Sequence, residues 1–489
     1  MQRPPCYPWT TLNPQTRTRG CVREWPIVVP APIVTAHAVV FRELFENQCQ
    51  VRHFQHALTG LIVLPNKSLA NMGRGILDSA DKTNLSRLLS EAPWREQEVN
   101  RRRIRCMRQQ TTRHRRRRRD ALVVIDDTLC AHVGSLFDHV ARHDNHGDGP
   151  YPLAHHPVTS FSVSGPVRFP LGLRLYRRDE ALTQWEAAVA QHVPELKMPT
   201  DHKARNRLHQ PVDPVLLQDP ACRARPAQFH TKIALAIALG EAAIRHKVPF
   251  GVVVFDAWYL AEDVVRVLAR RRKDWISLLK KNRLLETASF HLRDANGWPL
   301  QLPSPHIAVE ELVPLIPANA YRPVKVQEHT YWCFTLAVRL PGLGKVRLVV
   351  SCEQESLTGR SVVLVTNRVD WNAAQIMALY LQRWPTETFD QDGTGQLGFD
   401  AYRMRRTAAM GKHWGLVFVA YALLHLTCLP AVPDRPKGLM QTIGEACRQQ
   451  GRALIQKLLL FVHDQLSHGT TADHVFAQVF VKQRGIVPV

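Results

Sequence analysis

Two stretches decide how this chain folds: Ala121-Leu-Val-Val-Ile-Asp-Asp-Thr128 and Gly251-Val-Val-Val-Phe-Asp-Ala-Trp-Tyr259. Each is an unbroken apolar run that stops on an acid. A run apolar at every position reads as a strand covered on both faces, because a half-exposed strand would alternate. Working outward, Thr159–Val163, Leu171–Tyr176 and Trp275–Leu279 read as further strands. Ile233–Ile244 is rich in Ala and long enough for a helix, and Ala261–Arg272 is a second helix. Strands mixed with helices in this order predict an α/β fold, a mixed sheet flanked by helices.

Between Leu284 and Val369 the pattern turns β-rich, with strands predicted at Val324–Gln327, Tyr331–Val338, Val346–Ser351 and Val362–Thr366. Helical spacing returns at Asn372–Trp384, Trp414–Leu426, Leu439–Phe461 and Ala472–Lys482. Near the start, Lys67–Leu77 and Thr83–Leu89 read as two short helices, a spacing compatible with a helix-turn-helix. The chain divides accordingly: a poorly ordered N-terminus over 1–38, a helical DNA-binding part over 39–120 ending in an Arg-rich segment, a core over 121–283 resumed at 372–430, a β-rich insertion over 284–371, and a helical tail over 431–489.

The 489 residues carry 64 Lys and Arg against 42 Asp and Glu, a net charge of +22. That excess is a statement about partners. Arg101–Arg103, Arg115–Arg119, Arg270–Lys273 and Arg403–Arg406 cluster it, and Arg outnumbering Lys suits bidentate contact with phosphate. Nucleic acid is the expected partner. No stretch has the roughly 20 unbroken apolar residues that a spanning helix needs, so no membrane is expected. The ten cysteines form no C-x-x-C pair, which argues against a zinc ribbon and for a reducing cytoplasm.

Asp127 and Asp256 stand at strand ends, where open sheets build ligand sites. A third acid, Glu387, lies in Tyr380-Leu-Gln-Arg383-Trp384-Pro-Thr-Glu387. Converging carboxylates would repel by on the order of 4 kcal/mol per pair at 4 Å. A divalent ion removes that cost, and oxygen-only ligation suits Mg2+ or Mn2+.

Asp126-Asp127-Thr128, Phe255-Asp256-Ala257-Trp258-Tyr259 and Tyr380-x-x-Arg383-Trp384-x-x-Glu387 together resemble the DDE transposases of bacterial insertion sequences. The group resembled has a β-rich insertion between the second Asp and the Glu, and a Tyr-x2-Arg-x3-Glu signature. Val365–Arg368, Leu397-Gly398, Tyr402 and Arg405 add to the likeness, which runs from about Gly60 to Leu426. The resemblance implies a ribonuclease-H-like core. It also implies metal-dependent cleavage at the transposon ends, then attack of the freed 3′-hydroxyl on target DNA. Asp127, Asp256 and Glu387 would hold two Mg2+ (or Mn2+) ions, with Asp127 favoured over Asp126 because the family's ligand directly precedes Thr. Tyr380, Arg383 and Arg405 would contact double-stranded DNA, in terminal inverted repeats and target. A homodimer in the synaptic complex and a place at the bacterial nucleoid follow from the same likeness. Thr394 stands where the signature has Lys, and Asp390 where an apolar residue is usual. The alternative is a catalytically impaired, transposase-derived DNA-binding protein.

Overall fold

The structure, a computed structural model, describes residues 25–77, 82–143, 152–199, 202–216, 218–220, 231–302, 304–359, 361–430 and 442–481. Most of the segment 1–38 lies outside them. Where description begins, Ile27 bridges Ile76 and the first helix, α1 (Pro32–Ala38), buries Ile33 and Val34, so Trp25–Ala38 carries order that its Pro-rich composition did not suggest.

Helices α2 (Gln48–Val63), α3 (Leu69–Gly75), α4 (Lys82–Ser90) and α5 (Glu96–Gln110) precede the sheet. The first strands are β1 (Leu122–Asp127), β2 (Cys130–Ala131), β3 (Ala141–Arg142), β4 (Leu153–Ser164) and β5 (Val167–Tyr176). After α6 (Arg178–His192) and α7 (His202–Leu216) come α8 (Lys232–Arg245), β6 (Val252–Phe255), α9 (Glu262–Arg270) and β7 (Asp274–Leu278). Strands β8 (Leu284–Glu286), β9 (His306–Ala308), β10 (Arg322–Val326), β11 (His329–Leu340), β12 (Gly344–Cys352) and β13 (Val362–Thr366) follow. The chain closes with α10 (Ala373–Tyr380), α11 (Trp384–Gly395), α12 (Thr407–Cys428), α13 (Ile443–Ser467) and α14 (Ala472–Phe476).

Among the described residues all 13 strands join one mixed sheet. β1, β6 and β7 lie mutually parallel at its centre, flanked by the antiparallel pair β4 and β5 on one side. On the other side β13 pairs antiparallel with β7, and β12 and β11 continue outward. The β-rich segment therefore prolongs the central sheet.

Both faces are covered, as the unbroken apolar runs require. One apolar cluster contains Leu122 and Val124 of β1, Val252 and Val254 of β6, and most of α12; it extends without interruption into α2 and α4. The other contains Val123, Ile125, Val253 and Phe255 beneath Leu235, Ala236 and Leu239 of α8. α12, whose residues Leu416–Leu424 are all buried, is a core helix, and no helix among the described residues is long and apolar enough to cross a membrane.

The start of β6 depends on a close backbone crossing. Gly251 donates to the Ala121 carbonyl at 2.9 Å, and a Cβ there would sit 2.8 Å from Arg119 Cα and 2.9 Å from its carbonyl oxygen. Backbone cannot yield as a side chain can. Gly251→Ala is expected to cost about 1–3 kcal/mol, read as a lower urea midpoint; an unchanged midpoint would refute the close-packing account.

Candidate active site

Side chains alternate faces along a strand, so the two core clusters say where the acids at its end must point. Leu122 and Val124 share one face with Val252 and Val254, which puts Asp126 on that face and Asp127 on the other. Asp256 follows Phe255 in extended backbone (φ −75°, ψ 164°) and shares the Asp126 face. Ile125 is paired with Phe255 in the parallel ladder, so Asp126 and Asp256 leave neighbouring strands side by side. Asp256 is held by accepting the Ala257 N–H at 2.7 Å.

Glu387 comes to the same face from α11. That helix begins at Trp384 because Pro385 fits a first turn but not a helix interior. The expected single helix Asn372–Trp384 is thus broken: α10 ends at Tyr380, a 3-10 turn spans Leu381–Arg383, and α11 restarts. The break turns Arg383 inward. Its Nη1 lies 2.5 Å from Asp126 Oδ2 and its Nη2 lies 2.5 Å from Glu387 Oε1. One guanidinium thus bridges two carboxylates that would otherwise repel.

Asp127 belongs to a different grouping. Its Oδ2 accepts from Lys232 Nζ at 2.6 Å and lies 3.1 Å from His156 Nε2, and His156 Nδ1 lies 3.3 Å from His143 Nδ1. Burial disfavours its charge, yet His156 and the Lys232 ammonium hold the carboxyl well below the usual range. Asp127 is thus engaged by Lys232 and His156, whereas Asp126 is joined to Glu387 through Arg383 and leaves β1 beside Asp256. His155 and His156 point apart, as strand neighbours must. His155 contacts Tyr402 at 2.6 Å, on the side away from Asp127.

Tyr380 is half-buried, and burial pushes its phenol up to about 12 despite nearby Arg383. Arg405 and Thr394 are exposed. Part of the Arg-rich segment is internal mortar: Arg103 is buried against Asn100 and the Leu171 carbonyl, Arg102 pairs with Glu43 at 2.7 Å, and Arg108 donates to the His246 carbonyl. Arg116–Arg119 stay exposed. Sequence reading missed Lys232 and the clamping role of Arg383. The four-residue spacing of Arg383 and Glu387 was the available signal for the second; for Lys232 there was none.

A hard divalent cation suits this donor set. The acids offer only oxygen, Arg383 already places a cation between two of them, and Asp390 Oδ1 is sealed from solvent with no hydrogen-bond partner. Among the described residues no three His, Cys, Asp or Glu side chains are close enough to hold an ion as they stand. Asp126, Asp256 and Glu387 are the carboxylates that could hold one.

Burial raises Asp126 to about 6 against the pull of Arg383, and burial with Asp126 and Glu387 nearby raises Asp390 to about 8. Asp in an unfolded chain titrates at about 4. The native state therefore holds both protons more tightly, and stability falls as pH climbs through the folded values. Burial keeps His132 and His413 (both about 4) and His425 (about 3) neutral, an effect of opposite sign confined below about pH 6.5. From there to about pH 8, Asp390 still holds a proton that the unfolded chain has lost. In EDTA the urea midpoint is expected to fall across that window, and Asp390→Asn to flatten the fall; identical slopes would refute it.

A family model described as DDE superfamily endonuclease matches residues 40–303, taking in Asp126, Asp127 and Asp256. A second, described as transposase DDE domain, matches residues 231–423, taking in Asp256 and Glu387. No curated protein compared with the chain matches it.

Proposed function

Because the chain belongs to the DDE superfamily endonucleases, with more than half its length matched, we propose that it is the transposase of a bacterial insertion sequence, cutting DNA at the element's ends and joining the freed 3′-hydroxyl to target DNA. The observation that carries the reading is the Arg383 bridge between Asp126 and Glu387, beside Asp256 at the neighbouring strand end. The order β5–β4–β1–β6–β7, with the last three parallel, supports a ribonuclease-H-like core. We assign the first acid of the triad to Asp126, in place of Asp127, because only Asp126 shares a face with the other two.

When bound, Mg2+ or Mn2+ at such a site activates water and stabilises the leaving oxygen of a phosphodiester. The protein's part is positioning. Two strand ends fix Asp126 and Asp256, and the packed helix α11 fixes Glu387 against them. Arg383 neutralises Asp126 and Glu387 in the ion-free protein, and its planar fork suits a phosphate oxygen equally well. Lys232 and His156 pin Asp127 on the far face, stiffening the end of β1. Tyr380 and Arg405 face DNA in this reading, and exposed Arg116–Arg119 add phosphate contacts that weaken with salt. Terminal inverted repeats, target DNA and a synaptic homodimer are the partners proposed.

The test incubates purified protein with duplex DNA from the borders of its own gene, with Mg2+ or with EDTA, and resolves nicked and joined strands. Metal-dependent cuts at the repeat ends with joined products are expected. Binding without any cut in Mg2+ or Mn2+ would favour the alternative, a transposase-derived DNA-binding protein, which Thr394 motivates.

A further inference from the structure

We propose that Trp258 and Lys280 bind an unpaired nucleotide, the indole stacking on its base and the ammonium meeting its phosphate. The inference rests on the DNA-cutting reading above, which makes DNA the molecule lying along this edge of the sheet.

Trp258 stands two residues beyond Asp256, in the 3-10 turn Ala257–Tyr259 that follows β6. That turn is held at both ends. Asp256 accepts the Ala257 N–H on its side chain at 2.7 Å and the Tyr259 N–H on its carbonyl at 3.0 Å, and the Tyr259 carbonyl accepts from Ala261 at 2.9 Å. The next two residues, Tyr259 and Leu260, are buried in the core. Trp258 is nonetheless 53% exposed, so a fixed turn holds its ring outward.

Lys280 comes from the neighbouring strand. β6 and β7 are parallel, with Phe255 paired to Ser277, so both leave the sheet at the edge where Asp256 lies. Lys280 Nζ stands 3.7 Å from the centre of the Trp258 ring, a cation–π contact. Its turn is pinned as well: Arg283 donates to the Lys280 carbonyl at 3.1 Å, and the Lys281 carbonyl accepts from Glu310 at 2.9 Å. The side chains of Lys280 and Lys281 are exposed.

A single exposed apolar residue needs no explanation by itself. This one is set apart by its rigid support, by the ammonium on its ring and by its place beside Asp256. Phosphate attraction needs only Lys and Arg; an aromatic ring adds a surface for a base. Inside a duplex each base is covered on both faces by its neighbours, so the base that lies on the ring is an unpaired one. A ring already fixed in place loses little freedom when the base arrives.

The experiment measures binding of the full-length chain in EDTA to two probes, single-stranded oligo(dT) and a blunt, fully paired duplex of the same length. Trp258→Ala should weaken oligo(dT) binding by roughly 10-fold and duplex binding by less than about twofold. Trp258→Phe should keep most of the oligo(dT) affinity, because a smaller ring still stacks. Lys280→Ala should lower the slope of log affinity against log salt on oligo(dT) by about 0.7, whereas Trp258→Ala should leave that slope unchanged. Wild-type oligo(dT) affinity in Trp258→Ala would overturn the proposal. Equal losses on both probes would overturn it too, and would make the ring a packing residue. In either case a wild type that cuts the border duplex in Mg2+ leaves the transposase reading standing. A wild type that binds neither probe would overturn both.

Discussion

Asp126→Asn is expected to cost far more DNA cleavage than Asp127→Asn, although the two acids are neighbours in sequence. Asp126 shares its face with Asp256 and is bridged to Glu387 by Arg383. Losing an oxygen that grips the ion should exceed the roughly 10–100-fold typical of a lost supporting contact. Asp256→Asn and Glu387→Gln should fall with Asp126→Asn. Asp127→Asn removes the negative charge that Lys232 Nζ meets at 2.6 Å and leaves the ammonium without its counter-charge beside His156. That loosens the end of β1 and belongs in the 10–100-fold range. The measurement is the rate of strand cleavage in Mg2+ at saturating protein, with binding of the same DNA checked in EDTA so that a lost contact is not mistaken for lost chemistry. Should Asp127→Asn be as inert as Glu387→Gln while Asp126→Asn keeps cutting, the facing deduced from the two apolar clusters is wrong.

Phe389→Ala is expected to destabilise the chain by about 3–5 kcal/mol. The ring is 1% exposed. Its centroid lies 5.6 Å from Phe161 on β4, 5.9 Å from Phe399, 5.6 Å from Phe418 and 4.9 Å from Tyr421. Truncation removes edge-to-face contacts with α12 and opens a cavity whose lining comes from three separate elements, so little of it can collapse. Because Phe389 sits two residues from Glu387, cleavage should drop along with the denaturant midpoint. Phe389→Leu keeps most of the volume and should lose under half as much. A Phe389→Ala loss below about 1 kcal/mol would mean that α11 is held by something other than this ring cluster.

Much of this was legible in the residues, for reasons that can be named. ALVVI and GVVVF could only be doubly covered strands, and β1 and β6 lie where they were read. The same property hid the facing of the acids. A strand apolar on both sides offers no polar–apolar alternation, so nothing local says which way Asp126 or Asp127 turns; that had to come from which helix covers which face. β4 starts at Leu153 and β5 at Val167, earlier than the predicted Thr159–Val163 and Leu171–Tyr176, and polar His155 and His156 lie buried in the added part of β4. The break at Tyr380 was announced by Pro385, yet the apolar spacing of Ala373–Tyr380 runs smoothly up to it. Asp390 was visible as an oddity, an acid where packing asks for carbon, but its surroundings come from β1 and were beyond reach. Each strand after Leu284 could be read alone; the union of β13 with β7 joins residues some ninety positions apart, and no local pattern encodes it.

That union limits how the protein can be cut down. A fragment ending near residue 283 would bare the edge of β7 at Ile276–Leu278, with its backbone donors and acceptors open to any passing chain. Such a truncation invites fibre-like self-association, so what sits between the second acid and the glutamate acts as the molecule's selvedge, the finished border that keeps the weave from catching on its neighbours.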